Sequence, residues 1–213
     1  MTSREDWWTR TRRVLDAASE VEFERGYDRW APDYDADHES FGGLLLVHFV
    51  GMFCRHVPVT AQPILDAGCG TGRLAEALRL QGYGHFVGID LSAGMLKVAR
   101  EKALYDDLHR ARLGEPLDMP SEQFEAVGSL AAMSPKHIGA DAFDELIRIT
   151  RPGGTLVLSL RAGTEHMTGF NQRRVELVKA GRWTLIDETP TFVSHPEFDP
   201  PISYGVHVYR RTS

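Results

Sequence analysis

Hydrophobic and polar positions follow two different periods along this chain, and the two periods alternate through most of its length. Helical spacing of apolar residues predicts helices over about 5–24, 43–57, 73–81, 93–103, 139–150 and 165–181. Short apolar runs bounded by glycine or proline predict strands over about 63–67, 85–90, 109–113, 124–129, 154–160, 183–192 and 202–210. Strands that alternate with helices are typical of a doubly wound parallel sheet, so the pattern indicates an α/β fold.

The N-terminal part differs from the rest because it has helical patterns and no predicted strand. Residues 5–24 are polar and charged, whereas residues 43–57 are apolar nearly all round, which predicts a buried helix. Pro58 cannot continue that helix. We therefore divide the chain into N-terminal helices over 1–58 and an α/β domain over 59–213, packed as one structural unit.

Composition places the chain among globular proteins, since 42% of its 213 residues are hydrophobic and 25% are charged. The net charge of −6 lacks the basic excess typical of nucleic-acid-binding proteins, so we expect no nucleic-acid partner. No apolar run approaches the roughly 20 residues of a membrane-spanning helix, and residues 1–8 lack the apolar core of a signal peptide. Cys54 and Cys69 do not suggest a disulfide framework, which favours a cytoplasmic location.

The most informative local pattern is a glycine-rich loop after the first predicted strand. Gly68, Gly70 and Gly72 lie between Asp66 and the helix that begins at Arg73. Glycine lets the backbone turn sharply and approach a ligand closely, and a helix N-terminus attracts a phosphate or carboxylate. A dinucleotide-binding loop would need its third glycine at position 73, so the spacing favours another nucleotide-type cofactor.

A second acidic residue follows one strand later. Asp90 ends the predicted strand 85–90, where a carboxylate can accept the ribose hydroxyls of a nucleoside. The G-x-G-x-G spacing after an acid, together with the run 88–99, resembles the class I S-adenosylmethionine-dependent methyltransferases. The resemblance covers about residues 25–211. It implies a Rossmann-like sheet of seven strands with an antiparallel last strand, and S-adenosylmethionine as the cofactor.

The same resemblance implies which residues hold the cofactor. In the family, the segment corresponding to 114–120 places an acid against the adenine amino group, and Glu115 would supply that contact. Pro116 has no N–H, so the second adenine contact must come from another residue, such as Gly114 or Glu115 itself. The complete set implied by the resemblance is Tyr34, Asp66, Gly68, Cys69, Gly70, Gly72, Asp90, Leu91, Met95, Gly114, Glu115 and Ser129.

The segment 27–35 resembles a family element that forms a lid over the cofactor. Tyr34 would touch the methionyl end of the cofactor, where an aromatic face can stabilise a sulfonium. The alternative is that Trp30 and Tyr34 only hold the N-terminal helices to the core. Both interpretations are compatible with the sequence.

The acceptor side of the site is predicted from the loop after the fourth strand and the segment after the fifth. His137 is the candidate general base, and Arg161 could hold an acidic substrate. No metal is expected, because the histidines are scattered and residues 128–134 carry none of the carboxylates that metal-dependent relatives place there. The acceptor-side candidates are Ser134, His137, Arg161, Glu165 and His166.

Three functions fit these observations. The one we favour is a methyltransferase that uses S-adenosylmethionine, releases S-adenosylhomocysteine and acts on a small-molecule acceptor. The second is a methyltransferase of protein or RNA that needs a partner. The third is a protein that binds the S-adenosyl ligand without transferring a methyl group. We expect a monomer or homodimer with no membrane partner.

Overall fold

A computed structural model describes residues 3–41, 43–133, 138–163, 168–198 and 200–212. The helices are α1 (Arg4–Leu15), α2 (Glu20–Trp30), α3 (Tyr34–Phe41), α4 (Leu45–His56), α5 (Arg73–Arg79), α6 (Ala93–Glu101), α7 (Ala142–Ile149) and α8 (Thr168–Lys179). The strands are β1 (Ile64–Ala67), β2 (Phe86–Asp90), β3 (Tyr105–Arg110), β4 (Phe124–Ser129), β5 (Thr150–Arg161), β6 (Trp183–Glu188), β7 (Phe192–His195) and β8 (Ile202–Arg211). Among the helices described, none has the length and apolar character that a membrane crossing requires.

The described strands form one sheet in the order β3-β2-β1-β4-β5-β8-β6, and β7 pairs with β8. The first five strands in this order are parallel, whereas β8 runs antiparallel to β5, β6 and β7. The predicted Rossmann-like sheet with an antiparallel last strand is therefore confirmed. β2 and β3 lie on one side of β1, and β4 and β5 lie on its other side. This reversal of direction creates a crevice at the carboxyl ends of β1 and β4.

Helices cover both faces of the sheet. The side chains of neighbouring strand residues point to opposite faces of the sheet. Ile64 therefore packs in the core that α4 and α5 cover, and Leu65 packs in the core that α7 and α8 cover. The predicted buried apolar helix is α4, whose Phe49 is fully buried. On the opposite face, Phe143 of α7 packs edge-on against Phe170 of α8, with 5.3 Å between the ring centres. These layers hold the strand ends, and the loops that follow them, in place.

Two predicted elements are divided in the structure. The helix predicted over 5–24 is two helices because Ser19 caps α2, its hydroxyl accepting a hydrogen bond from the Glu22 amide at 3.3 Å. The strand predicted over 183–192 ends before Pro190, which has no N–H for a strand ladder, and β7 follows it. The structure therefore has an eighth strand that the hydrophobic pattern did not predict.

The third strand lies earlier in the chain than the predicted range 109–113. It begins at Tyr105, which pairs with Phe86, and ends at Arg110, which pairs with Asp90. It is the edge strand of the sheet and its residues are half-buried or exposed. Because a polar edge strand lacks an apolar run, the hydrophobic pattern located it wrongly.

The N-terminal segment, defined here as residues 3–41, joins the rest of the molecule through an aromatic cluster. Trp7 and Trp30 are buried there together with Phe198 and Ile202 from the β7–β8 region. The ring centres of Trp7 and Phe198 are 5.8 Å apart. The segment is therefore packed against the end of the sheet at which β8 begins.

Candidate functional site

A cavity of about 720 Å³ opens at the carboxyl ends of β1, β2, β4 and β5. The N-terminal segment forms its opposite wall, with Trp30 and Tyr34 among the lining residues. Its volume lies within the range of about 300–1,000 Å³ that is typical of small-molecule sites. The predicted cofactor-binding residues that the structure brings together around it are Tyr34, Asp66, Gly68, Cys69, Gly70, Asp90, Leu91 and Met95.

The glycine loop follows β1 and turns under the cavity. The amides of Gly68 and Cys69 both donate to the carbonyl of Ile89, at 2.8 and 2.9 Å, which anchors the loop to β2. Gly68 has a φ of +79°, and a Cβ there would lie 2.2 Å from the Cβ of Ala132. Gly70 has a φ of +53°, but a Cβ there would meet no atom within 4 Å. The loop at Gly70 therefore borders open space, as a ligand cradle must.

Asp90 ends β2 beside this loop. Its two carboxylate oxygens accept hydrogen bonds from the amides of Gly70 and Ser92, each at 2.8 Å. Burial raises the pKa of Asp90 above its usual value, and these amides act in the opposite direction by stabilising the anion. Each oxygen keeps a lone pair for a further donor, so the side chain can accept hydroxyl groups from a ligand in the cavity.

Asp66 is buried beneath the glycine loop. Tyr105 donates its hydroxyl hydrogen to Oδ2 of Asp66 at 2.7 Å, whereas Oδ1 has no hydrogen-bond partner among the described residues. Burial raises the pKa of Asp66 to about 7; the hydrogen bond from Tyr105 lowers it and the nearby charge of Asp90 raises it. A buried carboxylate oxygen without a partner in the wall of a cavity is an acceptor for a ligand donor.

Tyr105 was not among the predicted site residues. Besides its hydrogen bond to Asp66, its ring would lie 3.1 Å from a Cβ at Gly72, so it supports the glycine loop from below. Its role depends on the register that pairs Tyr105 with Phe86. The hydrophobic pattern predicted that β3 begins at position 109, four residues later than it does. It therefore did not indicate that Tyr105 lies beside Asp66.

Two polar links join the N-terminal segment to the cofactor side of the cavity. Asp35 accepts a hydrogen bond from the Thr71 hydroxyl at 2.5 Å and forms an ion pair with Lys102 at 2.7 Å. Asp28 accepts hydrogen bonds from the Ser92 hydroxyl at 2.6 Å and from the Gly94 amide at 2.8 Å, and so caps the N-terminus of α6. Thr71 lies in the glycine loop and lines the cavity, and Ser92 directly follows Leu91, which also lines it.

The two aromatic residues of the segment 27–35 have different surroundings. Trp30 is buried and donates its indole N–H to Asp37 at 2.7 Å, while Asp37 also pairs with Arg10 at 2.9 Å. Tyr34 is less buried and packs edge-on against Trp30, with 4.9 Å between the ring centres. The structure therefore gives Trp30 a packing role, and both rings line the cavity.

Four predicted cofactor residues do not line the cavity. The hydroxyl of Ser129 donates to the carbonyl of Ala67 at 2.9 Å inside the sheet, and Gly72 is the N-terminal cap of α5. Gly114 and Glu115 are exposed, and Glu115 forms an ion pair with Arg112 at 3.0 Å. The lining residues in that part of the chain are instead Ala111, Arg112 and Leu113.

Similarity to known proteins shows the family to which this chain belongs. A family model described as a methyltransferase domain matches residues 64–154. Human methyltransferase-like protein 27 is 35% identical over 178 residues, which are 80% of this chain and 70% of that protein. The chain belongs to the class I S-adenosylmethionine-dependent methyltransferases.

Further similarities place this methyltransferase among diverse relatives. A malonyl-[acyl-carrier protein] O-methyltransferase from Yersinia pestis is 37% identical over 100 residues, which are 46% of this chain and 36% of that protein. The crystal structure of a TehB-like S-adenosylmethionine-dependent methyltransferase from Corynebacterium glutamicum aligns with a TM-score of 0.65 at 19% identity. The alignment covers 87% of this chain and 98% of that one, and it supports the fold.

S-adenosylmethionine is the cofactor of this methyltransferase, and the residues around the cavity fit it. Asp90 offers acceptors for ribose hydroxyls, and the partnerless oxygen of Asp66 offers one for an ammonium or amide donor. The open space at Gly70 leaves room for close approach of the ligand to the backbone. Cys69 does not supply a reactive thiolate, because burial raises its pKa well above the usual value.

Of the five residues predicted on the acceptor side of this methyltransferase, the structure describes one. Arg161, at the end of β5, lines the cavity. Ser134, His137, Glu165 and His166 lie outside the described residues, so the general base predicted at His137 stays a prediction. In the described part of the chain, no three His, Cys, Asp or Glu side chains are grouped as a metal site, and metal independence likewise stays a prediction.

Two histidines that sequence reasoning did not select line the same cavity: His38 and His195. His38 lies on α3, one helical turn after Tyr34, with 4.1 Å between the two ring centres. His195 ends β7, and its Nδ1 is 3.2 Å from Oε1 of Glu197. His38 could have been found from its spacing to Tyr34, but the position of His195 depends on the unpredicted strand β7.

Proposed function

We propose that this methyltransferase transfers a methyl group from S-adenosylmethionine to a small, uncharged or anionic acceptor, without a metal ion. The observation that carries the proposal is the cavity of about 720 Å³, whose lining includes the glycine loop together with Arg161 and His195. One continuous volume thus offers room for a cofactor and a small second substrate, as methyl transfer requires.

The chemistry asks little of the protein beyond positioning. Bound S-adenosylmethionine supplies a methyl group that is already activated by a sulfonium, so alignment of the acceptor accounts for much of the rate. Arg161 lines the cavity and would attract a carboxylate or phosphate on the acceptor. The similarity to the O-methyltransferase from Yersinia pestis supports an oxygen atom as the methyl acceptor.

The N-terminal segment, residues 3–41, acts in this proposal as a lid over the substrates. Asp28 and Asp35 support it, because they connect this part of the chain to the loops beside the cofactor. We further propose that the enzyme acts in the cytoplasm as a monomer or homodimer. The net charge of −6 supports an acceptor other than nucleic acid.

The proposal is tested with S-adenosylmethionine that carries a radioactive methyl group. The protein is incubated with a low-molecular-mass metabolite fraction, with total RNA and with a protein fraction, each with and without EDTA. We expect label in the metabolite fraction alone and no effect of EDTA. Label only in RNA or protein would support the partner-dependent alternative, and binding of the cofactor without any transfer would support a binding protein.

A further inference from the structure

The lining of the cavity includes an imidazole paired with a carboxylate. His195 is largely buried, with 16% of its side chain exposed, and its Nδ1 lies 3.2 Å from Oε1 of Glu197. The carboxylate can only accept, so Nδ1 carries the hydrogen and Nε2 keeps its lone pair. No hydrogen bond among the described residues engages Nε2.

Aromatic rings surround this pair and restrict how the imidazole can turn. The ring centre of His195 lies 5.8 Å from that of Trp7 and 6.0 Å from that of Phe198. Trp7 and Phe198 also line the cavity, and both are buried. The imidazole is therefore held on two sides by packing and on its Nδ1 edge by Glu197, which is the arrangement of an oriented base.

His38 is the other imidazole that lines the cavity among the described residues, and its surroundings make it a weaker base. Its Nδ1 donates to the carbonyl of Tyr34 at 2.9 Å, which is a neutral partner. Burial and the positive charge of Arg73 lower its pKa to about 4. Burial also lowers the pKa of His195, but there the carboxylate of Glu197 acts in the opposite direction and stabilises the imidazolium.

We propose that His195, oriented by Glu197, is the general base that removes the proton of a hydroxyl acceptor during methyl transfer. The inference rests on the proposed function and deepens it, because it assigns the acceptor atom and the group that takes its proton. A hydroxyl is the acceptor class that needs such a base, since thiols ionise readily and neutral amines already carry a free lone pair.

The proposed methyl transfer forms one bond, breaks one bond and moves one proton. The acceptor oxygen forms a bond to the methyl carbon, and the bond between that carbon and sulfur breaks with its electron pair remaining on sulfur. The hydroxyl proton passes to Nε2 of His195, and the resulting imidazolium is stabilised by the carboxylate of Glu197. The proton then leaves to solvent. No oxidant, reductant or metal is needed.

The first experiment examines the dyad in the full chain without any substrate. Nitrogen-15 NMR of the histidine side chains should show His195 with hydrogen on Nδ1 and none on Nε2 at neutral pH. Glu197→Gln should lower the pKa of His195, because it removes the negative charge that stabilises the imidazolium. Hydrogen on Nε2, or an unchanged pKa in Glu197→Gln, would overturn the dyad.

The second experiment measures turnover with the compound that takes label in the metabolite fraction. His195→Gln should lower kcat by roughly 100-fold or more, the scale of general-base catalysis, while the affinity for S-adenosylmethionine is unchanged. His48→Gln is the matched control, because His48 stacks on Phe192 next to the same strand but does not line the cavity.

Two outcomes of the turnover experiment would overturn the assignment of His195. One is a loss of less than tenfold in His195→Gln, and the other is an equal or larger loss in His38→Gln. If no small molecule takes label at all, the proposed function fails instead, and the NMR experiment still decides whether the dyad exists. The two failures are therefore distinguishable.

Discussion

Tyr105 and Asp66 form a partly buried hydrogen bond of 2.7 Å beneath the glycine loop, between strands that do not pair with each other in the sheet. The bond spans β2, which separates β1 from β3. It stabilises the ionised form of Asp66, but burial outweighs it, so the pKa of Asp66 is raised to about 7. The protein without cofactor therefore has a carboxyl group in its cofactor loop that is partly protonated near neutral pH.

This raised pKa predicts a pH-dependent stability. In the unfolded chain Asp66 ionises near the usual aspartate pKa of 3.8, whereas in the folded chain it ionises near 7. Between these values the folded state binds the extra proton, so the contribution of Asp66 to stability falls as the pH rises. We expect urea unfolding from pH 4 to 8 to show this decline in the wild type relative to Asp66→Asn. Parallel pH profiles for the two proteins would contradict the raised pKa.

Gly70 and Gly153 form a matched pair for testing the cofactor cradle. Both have positive φ, +53° and +75°, and at both a Cβ would meet no atom within 4 Å. Alanine at either position should therefore cost about 1–2 kcal/mol of unfolding free energy for the left-handed backbone. Of the two variants, Gly70→Ala alone should also weaken S-adenosylmethionine binding in calorimetry, because Gly70 lines the cavity and Gly153 does not. Equal cofactor affinity in both variants would show that the ligand does not approach Gly70.

Asp90→Ala should weaken S-adenosylmethionine binding by about 1.5–3 kcal/mol, or roughly 13- to 160-fold in Kd, the scale for loss of a charged hydrogen bond. The variant also loses acceptors for the amides of Gly70 and Ser92, so circular dichroism must show that the fold is intact. Asp118→Ala is the control, since Asp118 is exposed and does not line the cavity. Unchanged calorimetric affinity in Asp90→Ala would remove Asp90 from the site.

The N-terminal segment should exchange its amide hydrogens more slowly when S-adenosylmethionine is bound, because a lid loses mobility when it closes on a ligand. Hydrogen exchange of residues 30–35 measures this protection. Asp35→Asn should reduce it by weakening the links to Thr71 and Lys102, whereas Asp33→Asn changes a neighbouring exposed acid and should not. Equal exchange with and without ligand would show that this segment is permanently packed.

The lining residues that the sequence could predict lie in short motifs directly after predicted strands. Asp66, Gly68 and Gly70 lie within five consecutive residues, and the spacing itself reflects a backbone that turns under a ligand. Asp90 was predictable because it directly ends an apolar strand. For these residues, the predicted strands and the loops that follow them are sufficient to place the residue at the cavity.

The parts that were not predictable depend on pairing between distant segments. Glu115, predicted to face adenine, is exposed and does not line the cavity, whereas Ala111, Arg112 and Leu113 do, so its contact with adenine stays a prediction. Tyr105 reaches Asp66 only through the register of an edge strand with little apolar character. His195 reaches the cavity only through β7, which forms where β8 offers it a partner.

Gly94 allows α2 and α6 to pack closely where Asp28 of α2 contacts the start of α6. A Cβ at this position would lie 2.8 Å from the Cα of Asp28, so the backbones of α2 and α6 approach closely at this point. The same oxygen of Asp28, Oδ1, accepts both the Ser92 hydroxyl and the Gly94 amide, so moving α2 away from α6 lengthens both hydrogen bonds together. We therefore expect the two hydrogen bonds to be lost together when α2 moves away from α6, which makes the loss of this contact cooperative.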